Sequence, residues 1–318
     1  MSTAGRPELV ATELVAVVVA MRAGEPQVLT VGRADGVAAL PSGQLRSEHR
    51  SLQSGMRAWV QQLTGHRLGF VEQLYTFADR ERLGAHQRII SVSYLGLSGQ
   101  LGPAPATSPG DLHGPNWRPL YDFFPLEDRR WDRDGESATD PLPAVPAALA
   151  RWASSAPAVS AERAERIASL FTGATWAPEQ ALARYELAWE AGLVPESRGR
   201  SAKDGVPPAG LGAAMLHDHR RILATGLSRL RATIQYRPVV FELMPDEFTL
   251  RELQSCVEAV CGTRLHTQNF RRLVLGQSLV EPTGAHETGT GGRPARLFRF
   301  RREVVGQRSV GLTLPRAR

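Results

Sequence analysis

Apolar residues recur at helical spacing in two adjacent segments of the last third of the chain. Thr249 followed three positions later by Glu252 is a capping box, and the spacing beyond it predicts a helix over residues 249–261 that ends at Gly262. After a short turn, a second helix is predicted over residues 266–275. The apolar side of this second helix comprises Phe270, Leu273 and Val274.

The opposite side of the second helix carries polar and basic side chains, namely Thr267, Gln268, Asn269, Arg271 and Arg272. Gln, Asn and Arg are the residue types that make paired hydrogen bonds to adenine and guanine in the major groove. A DNA-recognising helix places its first turns against the base edges. The segment therefore predicts the recognition helix of a helix-turn-helix that binds double-stranded DNA.

A predicted β-hairpin follows the two helices. Strands over 278–281 and 295–301 flank a glycine-rich turn at 288–292, and we expect Leu297 and Phe298 to face the core. Four arginines belong to this hairpin, namely Arg293, Arg296, Arg299 and Arg301. They are placed to contact phosphates or a narrow minor groove. The alternative is that they only solvate the edge of the hairpin, because charged edges are common.

The distribution of charge supports a DNA-binding segment at this end. Residues 229–318 contain 15 Arg and 8 Asp or Glu, a balance of about +7, against +6 for the whole chain. The first 228 residues are therefore close to neutral. Release of counterions from phosphates favours such a concentration of positive charge in a DNA-binding domain.

The N-terminal half alternates predicted strands with one helix. Strands are predicted over 14–21, 27–31, 70–77 and 88–97, and the helix over 51–63. This mixture indicates an α/β sandwich. Further helices are predicted over 147–153, 161–171, 178–191 and 213–233, separated by loops at 99–115, 132–146 and 197–212.

Length and composition place the chain among ordinary globular proteins. Its 318 residues predict two domains, and no segment approaches the roughly 20 apolar residues of a membrane span. Glu8 and Glu13 interrupt the N-terminal segment, so we expect no signal peptide. Cys256 and Cys261 are the two cysteines, and their spacing does not resemble a metal site. A cytoplasmic location follows as an expectation.

Several segments of the N-terminal half resemble the Nudix fold. They are Leu-Pro-Ser-Gly at 40–43, the helix at 51–63 with the Thr-Gly that ends it at 64–65, and the strand at 73–80. The C-terminal segments 248–250, 269–272, 281–284 and 292–296 resemble the DNA-binding domain of Nudix-related transcriptional regulators, the NrtR family. Segments 48–50, 121–125 and 217–221 resemble the NadQ-type regulators of NAD biosynthesis.

The resemblance implies a fold class and a domain organisation. The fold is α/β: a Nudix-like α/β/α sandwich with a helical insertion, followed by a C-terminal winged helix-turn-helix domain. The nucleotide-sensing domain is expected at 1–135, the insertion and connecting helix at 136–235, the winged helix at 236–305 and a tail at 306–318.

The predicted Nudix helix departs from the pattern of an active hydrolase. Alignment on the Thr-Gly at 64–65 places Trp59, Gln62 and Leu63 where active enzymes carry the glutamates that hold Mg²⁺. Shifting the alignment by one residue gives Ala58, Gln61 and Gln62. A hard cation needs charged oxygen ligands, so we expect no metal site and no hydrolysis here. Residual activity through Glu72 is the alternative.

A nucleotide pocket without catalysis is the expectation that remains. The candidate ligand-binding residues are Tyr75, Phe77, Arg80, Arg82 and Arg88, which would stack an adenine and hold its phosphates. Tyr75 and Phe77 are equally compatible with a place in the core. The resemblance implies an adenine-nucleotide effector, namely NAD, ADP-ribose or ATP, and no required cofactor.

Another segment, His217-Asp218-His219, invites a metal-binding interpretation. Its two histidines lie on different faces of a predicted helix and no cysteine is near, so hydrogen bonding between this helix and the domain is favoured.

The sequence thus predicts a transcriptional regulator that is not an enzyme. We expect a homodimer in which two winged helices contact two operator half-sites, with a nucleotide changing operator affinity. The resemblance implies repression of genes for NAD synthesis. The rival functions are an active Nudix pyrophosphohydrolase with a nucleic-acid-binding module and an RNA-binding adaptor.

Overall fold

The computed structural model describes residues 10–32, 36–44, 51–64, 68–77, 88–101, 115–130, 144–172, 176–197, 211–287, 294–303 and 312. The strands are β1 Val10–Arg22, β2 Glu25–Val31, β3 Ser42–Gln44, β4 Phe70–Phe77, β5 Arg88–Gln100, β6 Pro115–Pro119, β7 Val280–His286 and β8 Arg296–Phe300. The helices are α1 Leu52–Thr64, α2 Ala144–Ser154, α3 Ser160–Ile167, α4 Ala181–Glu190, α5 His219–Tyr236, α6 Leu250–Cys261 and α7 Thr267–Gly276.

The N-terminal half forms a six-stranded mixed sheet. The strand order is β4-β5-β1-β2-β6, with β3 paired to β1 as well. Strands β1 and β5 are parallel, whereas β1 is antiparallel to both β2 and β3. A tight turn joins β1 to β2 through Ala23 and Gly24, which both have positive φ angles.

Strand β1 is buried on both faces because helices cover both sides of the sheet. Leu14, Ala16 and Val18 belong to a cluster that includes Met56 and Val60 of α1. The alternate residues of β1 face the other layer and join the main core, namely Val15, Val17 and Val19. The predicted α/β/α sandwich is confirmed by this arrangement.

Helix α5 approaches the sheet closely at one glycine. A Cβ at Gly226 would lie 2.8 Å from a methyl group of Val17, so a larger residue would push the helix off β1. At the start of the same helix, Nδ1 of His219 accepts a hydrogen bond of 2.9 Å from the backbone N–H of Leu40. The prediction that this histidine bonds the helix to the domain is confirmed.

The C-terminal domain is built on α6, α7 and the β7–β8 hairpin. Phe248 pairs with Phe298 of β8 through two backbone hydrogen bonds of 2.8 and 2.9 Å, an isolated bridge that ties the segment before α6 to the hairpin. Phe300 stacks on Phe241, with ring centroids 4.1 Å apart. The hydrophobic core is continuous from the sheet through the insertion helices to this domain, since one cluster includes Val17, Leu187, Ile234, Val257 and Phe270.

Several predicted boundaries were wrong for physical reasons. Helix α5 begins at His219 rather than at residue 213, because His217 has a φ of +47° and residue Met215 bridges to Ala38 instead. Strand β7 begins at Val280 rather than at residue 278, since Ser278 has a φ of +55°.

Two further expectations need correction. Strand β6 was not predicted, because prolines bound it at both ends and Trp117 is its one apolar residue, between Asn116 and Arg118. In β8 the core-facing aromatic residues are Phe298 and Phe300, whereas Leu297 lies half-exposed on the other side of the strand. Within the described parts of the chain, every helix is too short or too polar to cross a bilayer.

Candidate nucleic-acid interface and nucleotide site

Helix α6 begins and ends as its sequence predicts. The Thr249 hydroxyl accepts a hydrogen bond of 3.1 Å from the N–H of Glu252, whose carboxylate accepts one of 2.7 Å from the N–H of Thr249. The helix ends at Gly262, which has a φ of +69° in the left-handed region. The capping box thereby fixes where α6 starts relative to the helix that follows.

Two polar side chains of α6 hold the start of α7. Glu258 accepts a hydrogen bond of 2.8 Å from the N–H of Leu265, and it also accepts one of 2.9 Å from the Gln254 amide. The same amide donates to the Leu265 carbonyl at 3.0 Å and to the Thr267 hydroxyl at 3.3 Å. These hydrogen bonds hold the start of α7 against α6.

The predicted recognition residues lie together on the outer face of α7. Five side chains are exposed there: Thr267, Gln268, Asn269, Arg271 and Arg272. Phe270 and Val274 are buried on the inner face, and Leu273 is half-buried. Arg272 donates a hydrogen bond of 3.3 Å to Asn269 on the helix surface, so these two side chains present their polar groups side by side.

A polar groove of about 890 Å³ runs between α6 and α7, and it brings in residues that the sequence analysis missed. Arg251 and Arg264 line it together with Thr267, Gln268 and Arg271. In a helix-turn-helix the first helix crosses the DNA backbone, so an arginine in its first turn was a signal that could have identified Arg251. The position of Arg264 in the turn between the helices gave no comparable signal.

The hairpin arginines do not all have the same environment. Arg296 is exposed, whereas Arg299 forms an ion pair of 2.6 Å with Glu281 on the neighbouring strand. Arg301 also lies 3.6 Å from Glu281. Arg293 and the predicted turn at 288–292 lie outside the described residues. The hairpin face is therefore less positive than its sequence indicates.

The candidate nucleotide site is only partly assembled by the described residues. Tyr75 is 62% exposed, whereas Phe77 is buried in the main core with its ring edge-on to Tyr75 at 5.2 Å. This burial favours the core alternative for Phe77, and its role as a ligand contact stays a prediction. Arg80 and Arg82 lie outside the described residues, and Arg88 is the first residue of β5.

Helix α1 carries no Asp or Glu along its length. Gly43 lies against the ring of Trp59, since a Cβ there would sit 3.5 Å from the indole, and Gln61 and Gln62 are exposed. Arg57, the basic residue of the helix, donates hydrogen bonds to the backbone carbonyls of Leu68 and Gly69. Its guanidinium therefore holds the loop before β4.

Comparison with known families assigns the C-terminal domain. Residues 240–300 match the family model of the NrtR DNA-binding winged helix domain. The C-terminal domain is an NrtR-type winged helix. A curated relative, the ADPR-responsive transcriptional repressor NtrR of Acinetobacter baylyi, is 37% identical over 83 residues, which cover 26% of this chain and 33% of the relative. The match thus spans about a third of that relative's length.

Solved structures extend the likeness from the NrtR-type domain to the whole fold. Shewanella oneidensis NrtR complexed with a 27mer DNA matches with a TM-score of 0.57 at 18% identity, over 96% of this chain and 99% of that one. A MutT/nudix family protein from Enterococcus faecalis matches with a TM-score of 0.54 at 15% identity, over 93% and 90% of the two chains. The N-terminal domain therefore has a Nudix-like fold.

The NrtR-type winged helix is docked on the end of the Nudix-like domain through its interhelical turn. The N–H of Arg129 donates a hydrogen bond of 2.7 Å to the carbonyl of Gly262, and the Arg264 guanidinium donates one of 3.0 Å to the carbonyl of Arg130. Gly262 also packs directly on the carbonyl of Glu127, with no room for a Cβ. The turn that orients α7 is thus fixed by the N-terminal domain.

Proposed function

We propose that this chain is a transcriptional regulator that binds operator DNA through α7 and responds to an adenine nucleotide in its Nudix-like domain. The observation that carries the proposal is the exposed face of α7 in an NrtR-type winged helix. Arg271, Gln268 and Asn269 on that face are able to make paired hydrogen bonds to guanine and adenine. Arg251 and Arg264 flank the same groove and are assigned to the phosphate backbone.

Operator binding is proposed to involve a homodimer. Two copies of α7 would then enter successive major grooves about one helical turn, roughly 34–36 Å, apart. A nucleotide would alter operator affinity by favouring one relative placement of the two recognition helices, which requires unequal affinity for the two placements. The proposed target is the set of genes for NAD synthesis, where the protein acts as a repressor in the cytoplasm.

ADP-ribose is the proposed effector, with NAD and ATP as the alternatives. The support is the curated relative, whose name describes an ADPR-responsive repressor. We further propose that the Nudix-like domain binds the nucleotide without hydrolysing it. The absence of carboxylates from α1 supports this, because a side chain such as Trp59 or Gln62 is a poor ligand for Mg²⁺.

The test is an electrophoretic mobility shift on duplexes that the full-length protein selects from a random library, with and without each nucleotide. Selective binding that changes with ADP-ribose is the expected result. Preference for single strands would instead indicate the RNA-binding function. A parallel assay for Mg²⁺-dependent release of AMP from ADP-ribose tests whether the domain hydrolyses its nucleotide. Release that Glu72→Gln abolishes would establish a hydrolase.

A further inference from the structure

A buried charge cluster joins the Nudix-like domain to helices α4 and α5. We define the Glu127 cluster as Glu127, Arg184, Arg231 and Tyr121. The Glu127 carboxylate forms ion pairs of 2.7 Å with Arg184 and 2.5 Å with Arg231, and all three side chains are almost completely buried. Glu127 follows the sheet of the Nudix-like domain, whereas Arg184 lies on α4 and Arg231 on α5.

All five N–H donors of Arg231 form hydrogen bonds, either to other members of the cluster or to backbone carbonyls next to it. One Nη contacts the Glu127 carboxylate and the Pro178 carbonyl at 2.5 and 3.0 Å. The other Nη contacts the Tyr121 hydroxyl and the Glu127 carbonyl at 3.3 and 3.0 Å, and Nε donates to the carbonyl of Val260 at 3.0 Å. A planar guanidinium with five satisfied donors has a single orientation, unlike a lysine ammonium.

The cluster donates hydrogen bonds to backbone carbonyls at the end of α6 that have no donor within the helix. The last four backbone carbonyls of a helix accept no hydrogen bond from other residues of that helix. Here Val260 is bonded to Arg231, and the carbonyl of Ala259 accepts a hydrogen bond of 2.5 Å from the Tyr121 hydroxyl. A cation at this end also complements the helix dipole. The C-terminal end of α6 is therefore held by side chains that lie more than a hundred positions away, or on a different helix.

This end of α6 leads directly into the turn and α7. Because Glu258 and Gln254 hydrogen-bond the backbone of Leu265 just before α7, the position of the α6 end bears directly on the position of the recognition helix. A buried ion pair contributes little net stability compared with apolar packing, and fixing one arrangement is the better-supported use of such a pair.

We infer that Glu127, Arg231 and Tyr121 are positioning residues for DNA recognition, which hold α7 in one orientation relative to the Nudix-like domain. The positional part of the inference is independent of the ligand. Its functional part, that the cluster transmits the effect of the nucleotide to α7, rests on the proposed function.

The orientation of α7 is measured by the distance between two spin labels in the full-length protein. Gln61→Cys on α1 and Leu275→Cys on α7 provide exposed attachment points. The native thiols of Cys256 and Cys261 are buried and therefore out of reach of the labelling reagent, and the same burial raises their pKa. Pulsed dipolar spectroscopy then gives the distribution of distances between the domains.

Two substitutions weaken the cluster to different degrees. Tyr121→Phe removes one hydroxyl and keeps the ring, and Arg231→Lys keeps the charge but loses the fork of donors. We expect both to broaden the distance distribution while the thermal transition stays cooperative. Tyr236→Phe, which alters an exposed tyrosine of α5, is the matched control and should leave the distribution unchanged. An unchanged distribution in folded Tyr121→Phe and Arg231→Lys proteins would overturn the inference.

The functional part is tested by the ratio of operator affinities with and without ADP-ribose. In the variants this ratio should fall toward one, while the affinity for ADP-ribose alone changes less than about twofold, since the cluster is expected to affect coupling rather than the ligand site. A ratio of one in the unsubstituted protein would defeat the proposed function, and the label distances would still decide the positional role. If Tyr121→Phe and Arg231→Lys keep the ratio of the unsubstituted protein, the cluster does not transmit the effect of the nucleotide, and the positional part of the inference is unaffected.

Discussion

The guanidinium of Arg231 donates to both the carboxylate and the backbone carbonyl of Glu127, at 2.5 and 3.0 Å, although the two residues are 104 positions apart in the sequence. This pairing ties the connecting helix α5 to the segment that supports the NrtR-type winged helix. It also makes part of the stability of the protein depend on the ionisation of the buried Glu127 carboxylate.

Glu127→Gln is expected to lower the free energy of unfolding by about 3–5 kcal/mol near neutral pH, because it leaves two buried arginines without a counter-charge. Burial alone would raise the pKa of Glu127, but Arg184 and Arg231 beside it hold that pKa below its ordinary value of 4.5. The ionised group therefore stabilises the fold fully above that value, and the stabilisation is lost as the pH falls through the lower folded-state pKa.

Urea denaturation as a function of pH checks this. The difference in free energy of unfolding between the unsubstituted protein and Glu127→Gln should be constant near neutral pH. It should become smaller as the solution is acidified below about pH 4.5. Glu190→Gln, which removes an exposed partner of Arg166, is the control and should cost less than about 1 kcal/mol. A difference that does not vary with pH would contradict the assignment of the ion pair.

Gly262→Ala is expected to destabilise the docking of the winged helix. The residue has a φ of +69°, a conformation that costs an L-residue roughly 1–2 kcal/mol, and its added methyl group would collide with the carbonyl of Glu127. Gly276→Ala is the matched control, since no atom lies within 4 Å of its Cβ position. Equal urea midpoints for the two variants would show that the close approach at Gly262 has no energetic consequence.

Substitutions in the DNA-facing groove should separate base recognition from phosphate contact. Arg271→Ala and Arg272→Ala are expected to lose about 1–3 kcal/mol of affinity for the selected duplex and to relax its sequence preference. Arg251→Ala and Arg264→Ala should weaken binding to all duplexes alike and lower the slope of log affinity against log salt by about 0.9 each.

Arg229→Ala removes an exposed arginine of α5 whose ion pair is with Glu72, so it serves as the control for lost charge. Its salt slope should equal that of the unsubstituted protein. If Arg251→Ala behaves like this control, the groove does not contact the DNA backbone. Thermal melts of the Arg229, Arg251, Arg271 and Arg272 variants should agree with that of the unsubstituted protein, since these side chains are exposed. Arg264→Ala also loses the hydrogen bond to the Arg130 carbonyl, so this variant is expected to melt slightly lower.

Glu281→Gln is expected to strengthen DNA binding by several-fold. Glu281 pairs with Arg299 at 2.6 Å and lies 3.6 Å from Arg301, so its removal leaves both guanidiniums available to phosphates. The measurement is the affinity at low salt, where the gain should be largest. Unchanged affinity would place β8 away from the DNA.

Substitutions at Tyr75 and Phe77 should separate an effect on ligand binding from an effect on stability. Phe77→Ala is expected to cost about 3–5 kcal/mol because it opens a cavity in the main core. Tyr75→Ala should change stability by less than about 0.5 kcal/mol, since its ring is exposed, and should weaken ADP-ribose binding in a calorimetric titration. Unaltered affinity in Tyr75→Ala would remove this residue from the nucleotide site.

The sequence by itself determined the features that are encoded within a few neighbouring residues. The capping box of Thr249 and Glu252, the glycine that ends α6 and the polar face of α7 all follow from spacings of three or four residues. The apolar run at 14–21 predicted a strand, and the composition of α1 already showed that no carboxylate lies on it. These elements were predicted because their partners lie in the same segment.

Tertiary structure decided which charged and aromatic side chains are exposed. Arg184 and Arg231 are buried against Glu127, Arg299 is paired with Glu281, and Arg251 lines an open groove, yet all are arginines in predicted or observed helices and strands. Phe77 is in the core and Tyr75 is not, although both belong to one strand. Ion pairs and burial depend on residues far apart in the chain, so no local pattern contains them.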